Sequence, residues 1–349
     1  MPEFVVDQAA ITAAAKKLEA GNLVAFPTET VYGLGADAEN PQAVAKIYAA
    51  KGRPSSHPVI VHLAPEADIG YWAESIPPEA RKLIGAFWPG PLTLILKRAK
   101  HIPDAVSGGQ DSIGLRCPSH PVAQALLRTF KGGKGGIAAP SANKFGHVSP
   151  TTAQHVRDEF GMDADVLGCI LDGGQSEVGI ESTILDLSRM DVKGPVLLRP
   201  GQISAEQIAD VIGRMPSRPD AAAPRASGTL DAHYAPRTPV AVVESNQLHD
   251  ILKKLAAAGR RVAVMRRSIE AVSEAVAQIK LADLPDGYAH DLYAALRAMD
   301  VVHADIILVE APPTEAQWQG VNDRLGRAAF DSIGILERLT NLPLSPSSL

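Results

Sequence analysis

Lys51 and Arg53 stand in AKGRP, at the end of the helix-forming run PQAVAKIYAAK. Ser141, Asn143 and Ser149 follow in APSANKFGHVSPT, between a buried-strand pattern and a helix start. Alone, the two cations read as complements to the negative end of a helix dipole. Joined to hydroxyls and open amides at a strand end, they read as a phosphate cradle built without a Walker loop. The usual catalytic templates do not fit. GGKGG at 132–136 puts Gly135 where a P-loop needs its hydroxyl, and GGQSEVG lacks the spacing of a nucleophile elbow. Ten dispersed histidines and two cysteines form no H-E-x-x-H, CxxC or Cys/His cluster. No metal held by protein side chains is expected.

The elements that must position these groups alternate along the first 215 residues. AAITAAAKKLEAG, PQAVAKIYAAK, PVAQALLRTF and SAEQIADVIG read as helices, with Gly and Pro marking their ends. NLVAF, PVIVHL, LTLILK, SIGLRC, GIAAP, STILDL and PVLLR read as short buried strands. FPTETVYGLGADA, residues 26–38, reads as neither. Pro27 removes a ladder donor and Gly33 and Gly35 disfavour a helix, so a rigid, hydroxyl-rich loop is expected there.

The texture changes at residues 215–240, which hold five prolines and no periodicity. Alternation then resumes with strands at PVAVVE, RRVAVM and DIILVE, and helices at NQLHDILKKLAAAG, near SIEAVSEAVAQIK, near YAHDLYAALRAMD and at VNDRLGRAAF. The spacing predicts an α/β protein of two domains: a twisted mixed sheet flanked by helices over residues 1–215, an extended linker over 216–239, and a smaller Rossmann-like parallel-sheet domain over 240–345. No G-x-G-x-x-G follows the first strand of the smaller domain, so a dinucleotide role has no support.

Composition narrows the function classes. The chain of 349 residues is 46% hydrophobic and 21% charged, enough for full cores in both domains. Residues 1–215 carry 20 Lys plus Arg against 23 Asp plus Glu, and the net charge of the whole is −5, so neither part offers the broad basic face of a dedicated nucleic-acid binder. MPEFVVDQAA lacks the apolar core of a signal peptide, and no run approaches a membrane span. Cys117 and Cys169 read as buried thiols of a reducing compartment. A cytoplasmic protein without membrane contact is expected.

PTETVYGLGADA, KGRP, PVIVH, FWPGPLTLIL, IGLRCPSHP, APSAN, GIESTILDL and LLRPG, in this order, closely resemble the YrdC-like family, and within it the L-threonylcarbamoyl-adenylate synthases. HYAPRTP at 233–239, followed by a small α/β domain, resembles their long two-domain form. The resemblance implies a YrdC-like fold and a nucleotidyl transfer: L-threonine, bicarbonate or carbon dioxide, and ATP give L-threonylcarbamoyl-adenylate and pyrophosphate. Magnesium would come with ATP, held by phosphate oxygens and water. The product would pass to separate tRNA threonylcarbamoyl-transferase machinery acting on position 37 of tRNAs that read ANN codons.

The resemblance also assigns roles. Thr30, His62 and Arg116 would bind threonine, Arg116 as a fork donor to its carboxylate. Ser182 and Thr183 would belong to the same wall, with no choice between them. Lys51, Arg53, Ser141, Asn143 and Ser149 would hold the triphosphate and adenylate, with Ser112 and the backbone near Ala139 alongside, and Lys51 and Arg53 would serve catalysis by charge neutralisation. Arg199, fixed before Pro-Gly, would present its guanidinium to phosphate, and Tyr234 would be a lid residue reaching the nucleotide. His57 departs from the family's usual asparagine; it is carried as an ATP contact whose charge would vary with pH. Two rivals remain. One is a double-stranded RNA-binding module of the same fold, with weak RNA binding through Lys51, Arg53, Lys97, Arg98, Lys100 and Lys144. The other is a carbamoyl-phosphate enzyme, although the acylphosphatase and zinc-finger regions of such proteins are missing here.

Overall fold

The computed structural model describes residues 6–161, 167–230 and 233–341. They divide into two units: residues up to Phe145 with Ser149–Thr229, and Gly146–Val148 with Leu230 onward.

The first unit is built on one mixed sheet. Its strands are β1 (Val24–Phe26), β2 (Gly33–Asp37), β3 (Ile60–Leu63), β4 (Leu92–Lys97), β5 (Ser112–Arg116), β6 (Gly136–Ala138), β7 (Cys169–Ile170), β8 (Thr183–Asp186) and β9 (Val196–Arg199). They lie in the order β7-β1-β2-β6-β3-β5-β4-β8-β9. β3 runs parallel to β5, with His62 opposite Arg116, and β4 runs parallel to β8, with Leu92 opposite Thr183. Most of these strands are short and buried, as their apolar runs require. One apolar cluster joins Ile11 and Leu18 of the helix Gln8–Glu19 to Val122 and Leu126 of the helix Pro121–Thr129. A larger one joins Leu34, Ile47, Val61, Leu94 and Leu115.

The helix Pro41–Lys51 forms where its sequence says it should. Asn40 caps its start by accepting the amides of Gln42 and Ala43, and Gly52 ends it in the left-handed region at φ 64°. Lys51 is therefore fixed in the last helical turn.

Residues 33–37, expected as loop, are strand β2, antiparallel to β1 and β6. The glycines are there for close packing. A Cβ on Gly35 would stand 2.8 Å from Ile137 Cγ2 and 2.9 Å from Phe26 Cε1. The loop proper is confined to the residues between β1 and β2, and Thr28 organises it: its hydroxyl accepts the amides of Thr30 and Val31 and donates to the Val31 carbonyl at 2.6 Å.

The second unit holds β10 (Val240–Val243), β11 (Val262–Arg266), β12 (Ala277–Lys280) and β13 (Ile306–Glu310), all parallel, in the order β10-β13-β11-β12. Leu248, Leu252 and Leu255 of the helix Ser245–Ala257 pack on Val262, Val264, Ile306 and Leu308. The helix expected near 268–280 does not form. Ala277–Lys280 instead extends the sheet edge beside β11, while Val272 buries in the core and both its backbone groups are held by the Gln278 amide. Sheet hydrogen bonds and burial outweigh a local helical preference there.

Among the described residues of 214–239 there is no helix or strand. The part ending at Thr229 runs with the first unit, where Ser217 exchanges backbone hydrogen bonds with Pro195 and Leu197 at 2.9 Å.

Candidate active site

One face of the first unit's sheet carries His62, Ser112 and Arg116 of the expected residues. Strand alternation and register turn Ile60 and His62 of β3, Ser112, Gly114 and Arg116 of β5, Thr93 and Ile95 of β4, and Ile184 of β8 to the same side. A crevice on this face is lined by Ile60, Ile95, Ser112, Gly114 and Ile184, and by Gln110, Arg225 and Ser227. Gly114 keeps its floor low: a Cβ there would lie 3.1 Å from Ile95 Cδ1. Ala223 and Ala226 pack on the apolar centre formed by Ile60, Ile95 and Ile184.

Two buried cations meet at Ser227. Arg199 donates through Nε and Nη2 to the Ser182 carbonyl at 3.1 and 2.9 Å, and through Nη1 to the Ser227 carbonyl at 2.7 Å. Arg53 donates through Nη2 to the Pro58 carbonyl at 2.8 Å and to Ser227 Oγ at 3.4 Å. The acceptors are carbonyl and hydroxyl oxygens, the atom types that phosphate oxygens replace with added charge.

Lys51 holds the neighbouring loop. Its Nζ donates to the carbonyls of Ser141, at 2.6 Å, and Asn143. Burial, then the nearby Arg53 charge, pushes its amine well below the usual lysine range. Of the amides along 139–149, those of Ala139, Ala142, Lys144 and Phe145 donate to Ile60, Tyr32, Glu159 and Lys51 respectively. Ser149 Oγ donates to Glu181 Oε1 at 2.6 Å, and Asn143 is buried with its amide nitrogen on the Lys144 carbonyl at 2.7 Å.

A second cluster gathers Thr30, His62 and Arg116. Thr30 Oγ1 lies 2.9 Å from Thr28 Oγ1. Arg116 is paired with Glu29 at 2.6 Å, both side chains 4% exposed. His62 is held neutral, its pKa lowered to about 3 by burial and then by the Arg116 charge. Its Nδ1 is a buried polar atom without a hydrogen-bond partner in the protein.

The open choice between Ser182 and Thr183 gains a geometric basis. Thr183 Oγ1 donates to the Ile203 carbonyl at 2.7 Å, whereas Ser182 Oγ lies 2.8 Å from Thr93 Oγ1 and 3.3 Å from Arg199 Nη2. His57 stands with its ring 5.6 Å from that of Phe145, and burial, with Arg53 and Arg225 nearby, lowers its pKa. Tyr234 belongs to the second unit, where its ring packs 5.7 Å from Tyr293 and 5.5 Å below the Arg324 guanidinium. Sequence reasoning missed Glu29, Thr28, Glu181 and Ser227. Thr28 and Glu29 lie in the PTET motif and Glu181 in GIEST, whereas Ser227 carried no signal.

A roomier groove of about 800 Å³ lies elsewhere in the first unit, lined by Glu39, Tyr71, Arg128, Lys131 and Lys134 among others, and by none of the expected site residues. Two of its cations are engaged, Arg128 with Glu66 and Lys131 with Asp37 and Glu39. Of the six cations expected as an RNA-binding patch, Lys97 and Lys100 are exposed and the other four are drawn inward. Lys51 and Arg53 are buried, Arg98 donates to the Gln110 and Ile102 carbonyls, and Lys144 Nζ donates to the Ala50 carbonyl at 2.8 Å. Among the described residues no three His, Cys, Asp or Glu side chains are grouped to hold a metal, and no helix is long and apolar enough to cross a membrane.

Known proteins match over both units. The Sua5/YciO/YrdC family model, described as telomere recombination, matches residues 16–201, and that of the threonylcarbamoyl-AMP synthase C-terminal domain matches 203–330. The threonylcarbamoyl-AMP synthase of Pyrococcus abyssi is 38% identical over 337 residues, covering 93% of this chain and 95% of its own. That of Bacillus subtilis is 39% identical over 342 residues, covering 94% and 95%. The crystal structure of Pyrococcus abyssi Sua5 complexed with L-threonine is similar at a TM-score of 0.83 and 36% identity, covering 93% of this chain and 95% of that one. The chain belongs to the Sua5/YciO/YrdC family, in the two-domain form that carries the threonylcarbamoyl-AMP synthase C-terminal domain.

Proposed function

We propose that this protein is a threonylcarbamoyl-AMP synthase: a nucleotidyltransferase that joins L-threonine, bicarbonate or carbon dioxide, and ATP into L-threonylcarbamoyl-adenylate, releasing pyrophosphate. The observation that carries the reading is one sheet face with two charged ends, the Arg53–Ser227–Arg199 convergence and the Glu29–Arg116–His62 cluster. Relatives of this length and identity bear that name, and the related Sua5 binds L-threonine.

Arg53 and Arg199 exchange the Ser227 oxygens for triphosphate oxygens and neutralise the charge that grows as pyrophosphate departs. Lys51 supports them by fixing the 141–143 loop. Ser112, Ser141, Asn143, Ser149, His57 and the backbone near Ala139 complete the ATP side, and Tyr234 closes over the nucleotide. Arg116 takes the threonine carboxylate, with Thr30, His62 and Ser182 around the side chain. Threonine's amine becomes a carbamate whose oxygen attacks the α-phosphorus; the site's task is to align the two reactants and keep water away. Magnesium enters on the triphosphate, bound by phosphate oxygens and water. The product is an activated acyl donor for tRNA modification in the cytoplasm.

The test is pyrophosphate release by the purified chain with ATP, magnesium and bicarbonate. Release that needs both L-threonine and bicarbonate, with the adenylate identified by mass, is the expected result. Equal release with L-valine or with no amino acid overturns the reading.

A further inference from the structure

Glu29 is a buried carboxylate with lone pairs to spare. Oε1 accepts from Arg116 Nη2 at 2.6 Å and Oε2 accepts the Ser119 amide at 3.1 Å, which uses two of about four acceptor positions of a carboxylate. The chain around it is fixed, since its own carbonyl accepts the Val178 amide at 2.7 Å. Arg116 is held from the other side by Nε on the Gly90 carbonyl at 3.3 Å, and no acceptor among the described residues takes its Nη1. Open cationic and anionic positions therefore stand side by side in a buried site, next to Thr30 in the chain and His62 in the sheet.

An α-amino acid presents the complementary pattern, a carboxylate and an ammonium one carbon apart. No other acidic side chain among the described residues touches Arg116. We propose that Glu29 receives the α-ammonium of the amino-acid substrate, so that Glu29 and Arg116 together read the zwitterion. The proposal rests on the reading of Arg116 as the carboxylate clamp. It gives Glu29 a part in recognition besides its part in holding Arg116. It also fixes the position of the nitrogen that must be carboxylated.

The test is calorimetric titration of the intact chain with L-threonine and with (R)-3-hydroxybutanoate, which keeps the carboxylate, hydroxyl and methyl groups and lacks the amine. The unsubstituted chain binds threonine at least about tenfold more tightly, the order of a charge-assisted hydrogen bond. Glu29→Gln reduces threonine affinity by about that factor more than it reduces hydroxybutanoate affinity. Equal loss for both ligands in Glu29→Gln means that Glu29 only braces Arg116, and overturns the proposal while leaving the amino-acid site standing. Equal affinity for both ligands in the unsubstituted chain overturns it without any variant. Binding of neither ligand removes the amino-acid site itself, and the proposal with it.

Discussion

His62 and Arg116 are register partners on the adjacent parallel strands β3 and β5, so a permanent cation stands beside a fully buried imidazole. The pairing turns an ionisable residue into a fixed neutral one. An unfolded histidine takes up a proton below its ordinary pKa near 6.5, whereas folded His62 refuses it until about 3. Its contribution to stability is full above the ordinary value and is lost as pH falls through the window between the two, by roughly 1.4 kcal/mol per pH unit. Urea unfolding at several pH values, compared with His62→Gln, reads this directly: the variant loses part of the acid-side slope. An unchanged slope would falsify the assignment.

Lys51→Ala lowers stability as well as activity. Removing Nζ strands two carbonyls of the 141–143 loop in a buried place, at a cost of about 2–4 kcal/mol. Lys51→Met, which keeps the stem, loses a comparable amount. A denaturant midpoint equal to that of the unsubstituted chain would show that the loop does not depend on this amine.

Arg199→Lys loses more than a charge-conserving change suggests. The guanidinium reaches the Ser182 carbonyl with two nitrogens and the Ser227 carbonyl with a third, and one ammonium cannot satisfy both directions. The expected outcome is a fall in kcat/KM for ATP of about a hundredfold, the order of one or two charge-assisted bonds. A lysine variant with full activity contradicts a phosphate role for this fork.

Gly114→Val blocks the crevice while leaving most of the sheet intact. Its first added carbon already stands 3.1 Å from Ile95 Cδ1, and further methyl groups extend over the floor between Ile60 and Ile184. Nucleotide affinity falls by at least about tenfold, with a stability loss of about 1–3 kcal/mol from overpacking. Unchanged ATP binding by calorimetry places the nucleotide elsewhere.

Much of the fold was legible where local chemistry decides it. Asn40, Pro41 and Gly52 bound the helix that carries Lys51, and apolar runs between Pro and Gly marked most of the strands. Two elements went against the local pattern. The glycines of 33–37 sit in β2 because Phe26 and Ile137 approach too closely for a side chain, and Ala277–Lys280 joins the sheet because an edge beside β11 was open to it.

The sequence by itself determined which groups are present and roughly where each element starts and stops, because caps, turns and hydrophobic period act over a few residues. Tertiary structure decided what those groups face. It set His62 beside Arg116, gave Arg116 a carboxylate partner in Glu29, drew Lys51 onto two carbonyls and brought Ser227 to the meeting point of Arg53 and Arg199. Each of these depends on strand order and register, which sum contacts over the whole chain and leave no mark in any short stretch of it.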